Sequence, residues 1–283
     1  MSPSRYTRLK AIKKFGYNVN WKDLKKYHIG IVGVGGLGCV SSEMAVRCGI
    51  GKITLFDLDN VEIVNLNRHM FKEKHIGQSK VEVAAKILKK INPDVELRYF
   101  HSDIMEHSFE PTFENEIKQM DVLLNGLDNI PAREYLNIKC IKLKIPYLDA
   151  GASRSGLSGH VHPIIPYKTA CAKCMSRVEI EIPKERGEPC VASLPSTMAI
   201  LASIQIQEML KYLLKFGEMV DYVMYSMISG QFLSYKTVRD PQCPVCGKPK
   251  KKKKIGKKKI KPVTTDVDLG KIIDKIRNEG DKL

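Results

Sequence analysis

No stretch of the 283-residue chain holds eighteen or more consecutive apolar residues, so no segment reads as a transmembrane helix. The first sixteen residues, Met1 to Gly16, are basic but lack an apolar core of signal-peptide length. Acids are missing from Lys248 to Lys261, which carries ten lysines. Setting those ten aside takes the 47 Lys and Arg residues down to 37, against 31 Asp and Glu. Much of the formal charge of +16 therefore sits in one run, which reads as a solvated linker. The alternative for that run is a weak, non-specific polyanion contact. Eight cysteines in a chain without secretory features are not a disulfide framework. These absences lead to the expectation of a soluble, cytoplasmic protein with neither a membrane nor a specific nucleic-acid partner. Its 43% hydrophobic content suffices for a sizeable core.

What is present alternates. Residues 5–16 read as a short basic helix closed by Gly16. Apolar strands are expected at 28–34, 52–57, 95–100, 120–127 and 145–150. Helices are expected from Gly36 to Arg47, from Ser79 to Ile91 and over 131–143. In the second of these, Val83, Ile87 and Ile91 recur every four residues, and Pro93 follows its end. Such alternation implies an α/β fold with a doubly wound, Rossmann-like and mostly parallel sheet. From Ser155 the texture changes: a β segment, an aperiodic stretch over 170–195, a long helix over 197–216, and a hairpin over 222–238 turning near Gly230. Residues 266–279 carry Leu269, Ile272, Ile273 and Ile276 on one helical stripe.

Gly33, Gly35 and Gly38 form G-x-G-x-x-G between a strand and a helix, where backbone N–H groups can meet phosphate. Asp57 ends the next strand, where a carboxylate accepts from ribose hydroxyls. This pattern indicates an adenine nucleotide without separating ATP from NAD. Asn65, Arg68 and Lys80 then supply an amide and two cations, which suits attack on an α-phosphate better than hydride transfer. Asp128, at the C-terminal end of a strand, suits Mg²⁺ held against phosphates, or a helix cap before Pro131.

Cys171-x-x-Cys174 and Cys243-x-x-Cys246 suit one tetrahedral structural Zn²⁺ stapling two distant segments, with a redox pair as the competing reading. His160 and His162 read as ordinary strand residues. Cys39, Cys48 and Cys140 fall on helices and read as small core residues. Cys190 differs: it lies in KERGEPCVASLPST beside Lys184 and Arg186, where cations favour a thiolate, and is a candidate nucleophile.

Taken in order, GVGGLG, FDLDNVEIVNLNR, GQSK, LDN and the two cysteine pairs resemble the ubiquitin-like-protein activating enzymes and their bacterial relatives that adenylate sulfur-carrier proteins. RYTRLKAIKKFG, EMAVRCGIGKITLFD, INPDVE and PCVASLPSTM resemble the branch that activates ubiquitin-fold modifier 1. The resemblance spans roughly residues 4–247. It implies ATP, Mg²⁺ and Zn²⁺ as cofactors, and Gly36 in the ATP loop. Asp57 would meet the ribose, with Asn65, Arg68 and Lys80 on the phosphates, Asp128 assisting Mg²⁺ and Asn129 beside the adenosine. Cys190 would carry a thioester. Arg8 would reach the ATP of a partner subunit, making a homodimer. The division implied is a helical extension over 1–20, an adenylation domain over 21–247, a lysine-rich linker over 248–264 and a flexible tail with a short helix over 265–283. In this reading a modifier, ubiquitin-fold modifier 1 or a relative, is adenylated, moved to Cys190 and collected by a conjugating enzyme that the tail helix binds. A sulfur-carrier adenylyltransferase, an NAD-dependent oxidoreductase and a non-catalytic scaffold subunit are the competing readings. The segment between Cys174 and Cys190 and the tail are shorter than in the modifier-activating branch, and the second cysteine pair is more closely spaced than in its animal members.

Overall fold

The computed structural model describes residues 4–17, 19–68, 70–175 and 192–247. Cys190, the lysine-rich linker over 248–264 and the tail helix over 265–283 lie outside the described residues.

The chain opens with α1 (Thr7–Ala11), which runs into a 3₁₀ turn over Ile12–Phe15 that ends on Gly16 at φ 87°. The parallel half of the sheet and its helices follow as β1 (His28–Val32), α2 (Gly36–Cys48), β2 (Lys52–Asp57), α3 (Lys80–Ile91), β3 (Glu96–His101), α4 (Glu110–Ile117), β4 (Val122–Asn125), α5 (Ile130–Leu143) and β5 (Tyr147–Ala152). Then come β6 (Ser158–Ile164), α6 (Ala172–Met175), α7 (Pro195–Leu214), β7 (Tyr222–Ser226) and β8 (Gln231–Tyr235).

All eight strands join one sheet in the order β3-β2-β1-β4-β5-β6-β7-β8. β1 to β5 run parallel, and β6 to β8 extend the sheet antiparallel. Every residue of β1 and β4 is buried, because helices cover both faces of a parallel sheet. Val81, Ala84, Ala85 and Leu88 of α3 join Ile29, Ile31, Ile53 and Leu55 in one core on one face. Phe56, Phe113, Leu123, Leu136 and Ile141 build a second core on the other. Each fully buried side chain of this size contributes roughly 1.5–3 kcal/mol relative to exposure.

Strand order reverses direction at β1, with β2 on one side and β4 on the other. In open α/β sheets, ligands bind outside the carboxyl ends of the strands at that switch point. The long α7 packs across α2, β5 and β6 and brings the second half of the chain against this edge.

The N-terminal extension docks on the body. Arg5 donates to the Ile91 carbonyl at 2.8 Å, and Asn92 donates to the Tyr6 hydroxyl at 2.7 Å. Met1–Lys248 forms one compact unit, so the extension belongs to it. No helix among the described residues is long and apolar enough to cross a membrane.

Candidate functional site

Two glycines shape the turn after β1. Gly33 has φ +88°, and a Cβ there would lie 2.8 Å from the Gly126 carbonyl carbon. A Cβ on Gly38 would sit 1.9 Å from the Gly33 carbonyl oxygen. The turn, the first turn of α2 and the end of β4 thus pack backbone to backbone. α2 starts just beyond the end of β1, and the first N–H groups of a helix have no intrahelical partner, a geometry that favours phosphate.

Asp57 locks this turn to β2. Its carboxylate accepts from the Val34 N–H at 2.6 Å and from the Asp59 N–H at 2.8 Å. Burial pushes the Asp57 pKa upward against the opposing pull of Lys80. Lys80, buried at the start of α3, donates to Asp59 at 2.7 Å. Burial works against its charge, but Asp57, Asp59 and Asp128 outweigh burial and raise its pKa. Asp128 is therefore close enough for its charge to be felt at Lys80. Asp59 is a site residue that sequence reading missed. Its signal was available: it stands two residues beyond Asp57, on the turn leading away from β2.

Arg68 lies over the glycine turn. Its Cδ would be 3.5 Å from a Cβ on Gly36, and Met198 of α7 would be closer still at 3.0 Å. Its guanidinium is steadied by the Val64 carbonyl at 2.7 Å and by Asn67 at 3.1 Å. Asn65 is buried and accepts from the Glu62 N–H at 2.9 Å. Asn129, not Asp128, caps α5, accepting from the Ala132 N–H at 2.9 Å. The helix-cap alternative for Asp128 is thereby removed. Gly33 and Gly35 lie on the turn after β1, Gly36 and Gly38 in the first turn of α2, Asp57 at the end of β2, Asn65 and Arg68 between β2 and α3, Lys80 at the start of α3, and Asp128 and Asn129 between β4 and α5.

Arg8 does not join them. It is exposed on α1, with no polar partner among the described residues. Tyr6 packs against Gly49 at the far end of α2. The thirteen residues of α2 hold that end about 20 Å from the glycine turn.

The two cysteine pairs converge. All four sulfurs lie within 4.8 Å of one another, and no disulfide joins them. Cys171 Sγ is 3.8 Å from Cys174 Sγ and 3.7 Å from Cys243 Sγ, and Cys174 Sγ is 3.4 Å from Cys246 Sγ. Tetrahedral thiolates at the usual Zn–S length stand about 3.8 Å apart, so the donor set fits zinc. Burial pushes Cys171 up to about 11. At Cys243 burial works the same way, but the backbone N–H groups of Cys246 and Val245 bring it down to about 7. Cys39 and Cys140 are buried in the cores, and burial raises the Cys39 pKa to about 12 and pushes that of Cys140 strongly upward, as inert structural thiols require. His160 and His162 sit in β6, as strand residues. Cys190 lies outside the described residues; the chain returns at Ala192, whose carbonyl oxygen lies 3.2 Å from where a Cβ on Gly156 would be.

A turn of glycines at a switch point, a buried carboxylate beneath it and cations around it suit a phosphate-bearing ligand. The ThiF family matches residues 6–245, and the chain belongs to that family. It is similar to ubiquitin-like modifier-activating enzyme 5 of Oryza sativa subsp. japonica, 35% identical over 257 residues, covering 85% of this chain and 61% of the relative. The enzyme of the same name from Mus musculus is 39% identical over 254 residues, covering 84% and 62%. The chain thus spans less than two thirds of the length of these relatives. Among solved structures, E. coli MccB with ATP superposes with a TM-score of 0.73 at 23% identity, covering 87% of this chain and 75% of that one. MccB with MccA-N7isoASN gives 0.75 at 24%, covering 88% and 75%. These likenesses show the shared fold.

Proposed function

We propose that the chain activates a ubiquitin-like modifier, adenylating its C-terminal carboxylate with ATP and then taking it onto Cys190 as a thioester. The observation that carries this reading is the convergence of Asp57, Lys80, Arg68 and Asp128 on the glycine turn at the N-terminus of α2. A hydride-transfer site has no use for two cations there. An attack on an α-phosphate does, because negative charge grows on its oxygens as the modifier carboxylate adds and pyrophosphate leaves. Similarity to enzymes named for modifier activation supports the same reading.

Asp57 would accept from the ribose hydroxyls while holding the turn through Val34. Arg68 and Lys80 would neutralise the phosphates, and Asn65 would sit among them. Asp128 would hold Mg²⁺, which when bound neutralises charge between the phosphates. Cys171, Cys174, Cys243 and Cys246 would hold Zn²⁺ as a staple, remote from the reacting atoms. In the second step the Cys190 thiolate attacks the acyl carbon of the acyl-adenylate, the acyl–phosphate bond breaks, and AMP leaves. Ala192 lies beside Gly156, and α7, which starts at Pro195, reaches Gly36 through Met198. That connection supports a nucleophile delivered to the same edge. A conjugating enzyme would then take the modifier, and ubiquitin-fold modifier 1 or a relative is the expected substrate.

Incubation with ATP and candidate modifiers should give an adduct that reductant releases. Cys190→Ala should abolish the adduct and retain modifier-dependent ATP–pyrophosphate exchange. Loss of both in folded protein would refute the two-step division. Exchange without any adduct in the wild-type chain would favour the sulfur-carrier adenylyltransferase instead.

A further inference from the structure

Beneath the proposed site lies a buried polar chain that the chemistry above does not use. Asn125 ends β4, and Asp149 stands opposite it on β5 in parallel register. Asn125 is fully buried and Asp149 nearly so. The Asn125 amide donates to Asp149 Oδ1 at 2.5 Å. Arg133, in the first turns of α5, donates to Asp149 Oδ2 at 2.6 Å. The guanidinium fits because residue 151 is glycine: a Cβ there would lie 2.1 Å from Arg133 Nη1. Arg133 Nη2 also lies 3.0 Å from His160 Nε2, which is itself 3.4 Å from Asp149 Oδ2; a guanidinium only donates, so toward Arg133 that nitrogen accepts. On the other side, Asn125 Oδ1 accepts from the Leu127 N–H at 3.0 Å.

The order of donors and acceptors is forced. An ionised carboxylate only accepts, so Asn125 must turn its NH₂ toward Asp149 and its oxygen toward Leu127. Reversing the amide would set two donors against each other at Leu127 and two acceptors at Asp149. Leu127 precedes Asp128, and Asn129 on the other side is fixed as the cap of α5. Asp128 is thus held between two anchored neighbours.

We propose that Asp149 is a positioning residue for Asp128: clamped by Arg133, it orients the Asn125 amide, which fixes the turn that presents Asp128 to Mg²⁺ and ATP. The inference rests on the nucleotide reading of the site. Asp149 itself touches neither ligand.

The test is calorimetric ATP binding to the full chain with and without Mg²⁺, a readout that needs no modifier. The wild-type chain should bind ATP more tightly with Mg²⁺, and Asp128→Ala should lose that gain. Asp149→Asn offers one acceptor where Arg133 and Asn125 need two, so Asn125 flips and the turn loses its anchor. Leaving a buried donor unpaired should cost the Mg²⁺-dependent gain about tenfold. Asn125→Asp alone sets two carboxylates against each other and should do the same. The double variant N125D/D149N restores the three pairings along the chain: Asp accepts from Leu127 and from the new amide, whose oxygen accepts from Arg133. It should regain the wild-type Mg²⁺ dependence, a rescue that a merely structural charge would not show. If Asp149→Asn does not fold, the double variant decides the matter alone. A folded Asp149→Asn protein with wild-type Mg²⁺ dependence overturns the inference, as does a double variant that fails to fold or to recover. A wild-type chain that binds no ATP overturns the nucleotide reading, and this inference with it; ATP binding that Asp149→Asn leaves untouched overturns the inference alone.

Discussion

Two glycines of the same turn differ in what they are for. At Gly38 a methyl group would overlap the Gly33 carbonyl, so Gly38→Ala must push backbone apart. At Gly35, with φ −82°, nothing lies within 4 Å of an added Cβ. Gly35→Ala should therefore melt within a few degrees of wild type yet bind ATP at least tenfold more weakly, because the methyl occupies the approach of the phosphates. Gly38→Ala should lose several kcal/mol of stability on the order of a core clash. Thermal melts with ATP titrations separate the two. His162 makes a different single-residue prediction. It is buried, its Nε2 has no partner among the described residues, and burial pushes its pKa down to about 4. The unfolded chain binds this proton near pH 6.5 and the folded chain does not, so stability falls as pH drops from about 6.5 to 4 and then levels. The shift corresponds to on the order of 3 kcal/mol. His162→Phe should flatten the urea-unfolding profile across that window; an unchanged slope would refute the assignment.

At the scale of elements, the cysteine pairs tie α6 to the chain just beyond β8, across 72 residues of sequence. Zinc bound there would join two segments far apart in sequence, so its binding free energy would be largely folding free energy. Cys243→Ser should remove one zinc per chain and lower stability by several kcal/mol, and a strong chelator should bring the wild-type protein to the same melting temperature. Zinc analysis of fresh protein that finds none would refute this. The convergence of the four cysteines was legible because each pair is local and its spacing is characteristic. The strands were legible for the same reason: each is a short apolar run between turn residues, and β1 to β5 fall within three residues of expectation. α4 was not, because Phe113 and Ile117 are its only buried apolar residues and Pro111 stands in its first turn. The chain Arg133–Asp149–Asn125 was not legible either. Its members lie on three elements, and only the parallel register of β4 with β5 brings them together. The same holds for Lys80 and Asp59, which are 21 residues apart.

For the whole molecule, the position of Arg8 decides how many chains a site needs. Within one chain, α1 is fastened by Arg5 and Tyr6 to the ends of α3 and α2 that face away from the glycine turn. A side chain spans well under the length of α2, so Arg8 cannot serve its own nucleotide without undocking α1. If Arg8 acts on phosphate at all, it acts on a second copy, and the active form is a homodimer with two composite sites. Arg8→Ala and Lys80→Ala should each be nearly inactive in ATP–pyrophosphate exchange, since each removes a cation from both sites. Mixed after subunit exchange, half of the chains would form heterodimers, each with one site lacking both cations and one site intact. Activity should therefore return to about a quarter of wild type, the statistical share of intact sites for one-to-one mixing. Exchange confirmed by labelled subunits, with no activity regained, would show that both residues serve the same chain, and α1 would then have to leave its docked position to bring Arg8 to the turn.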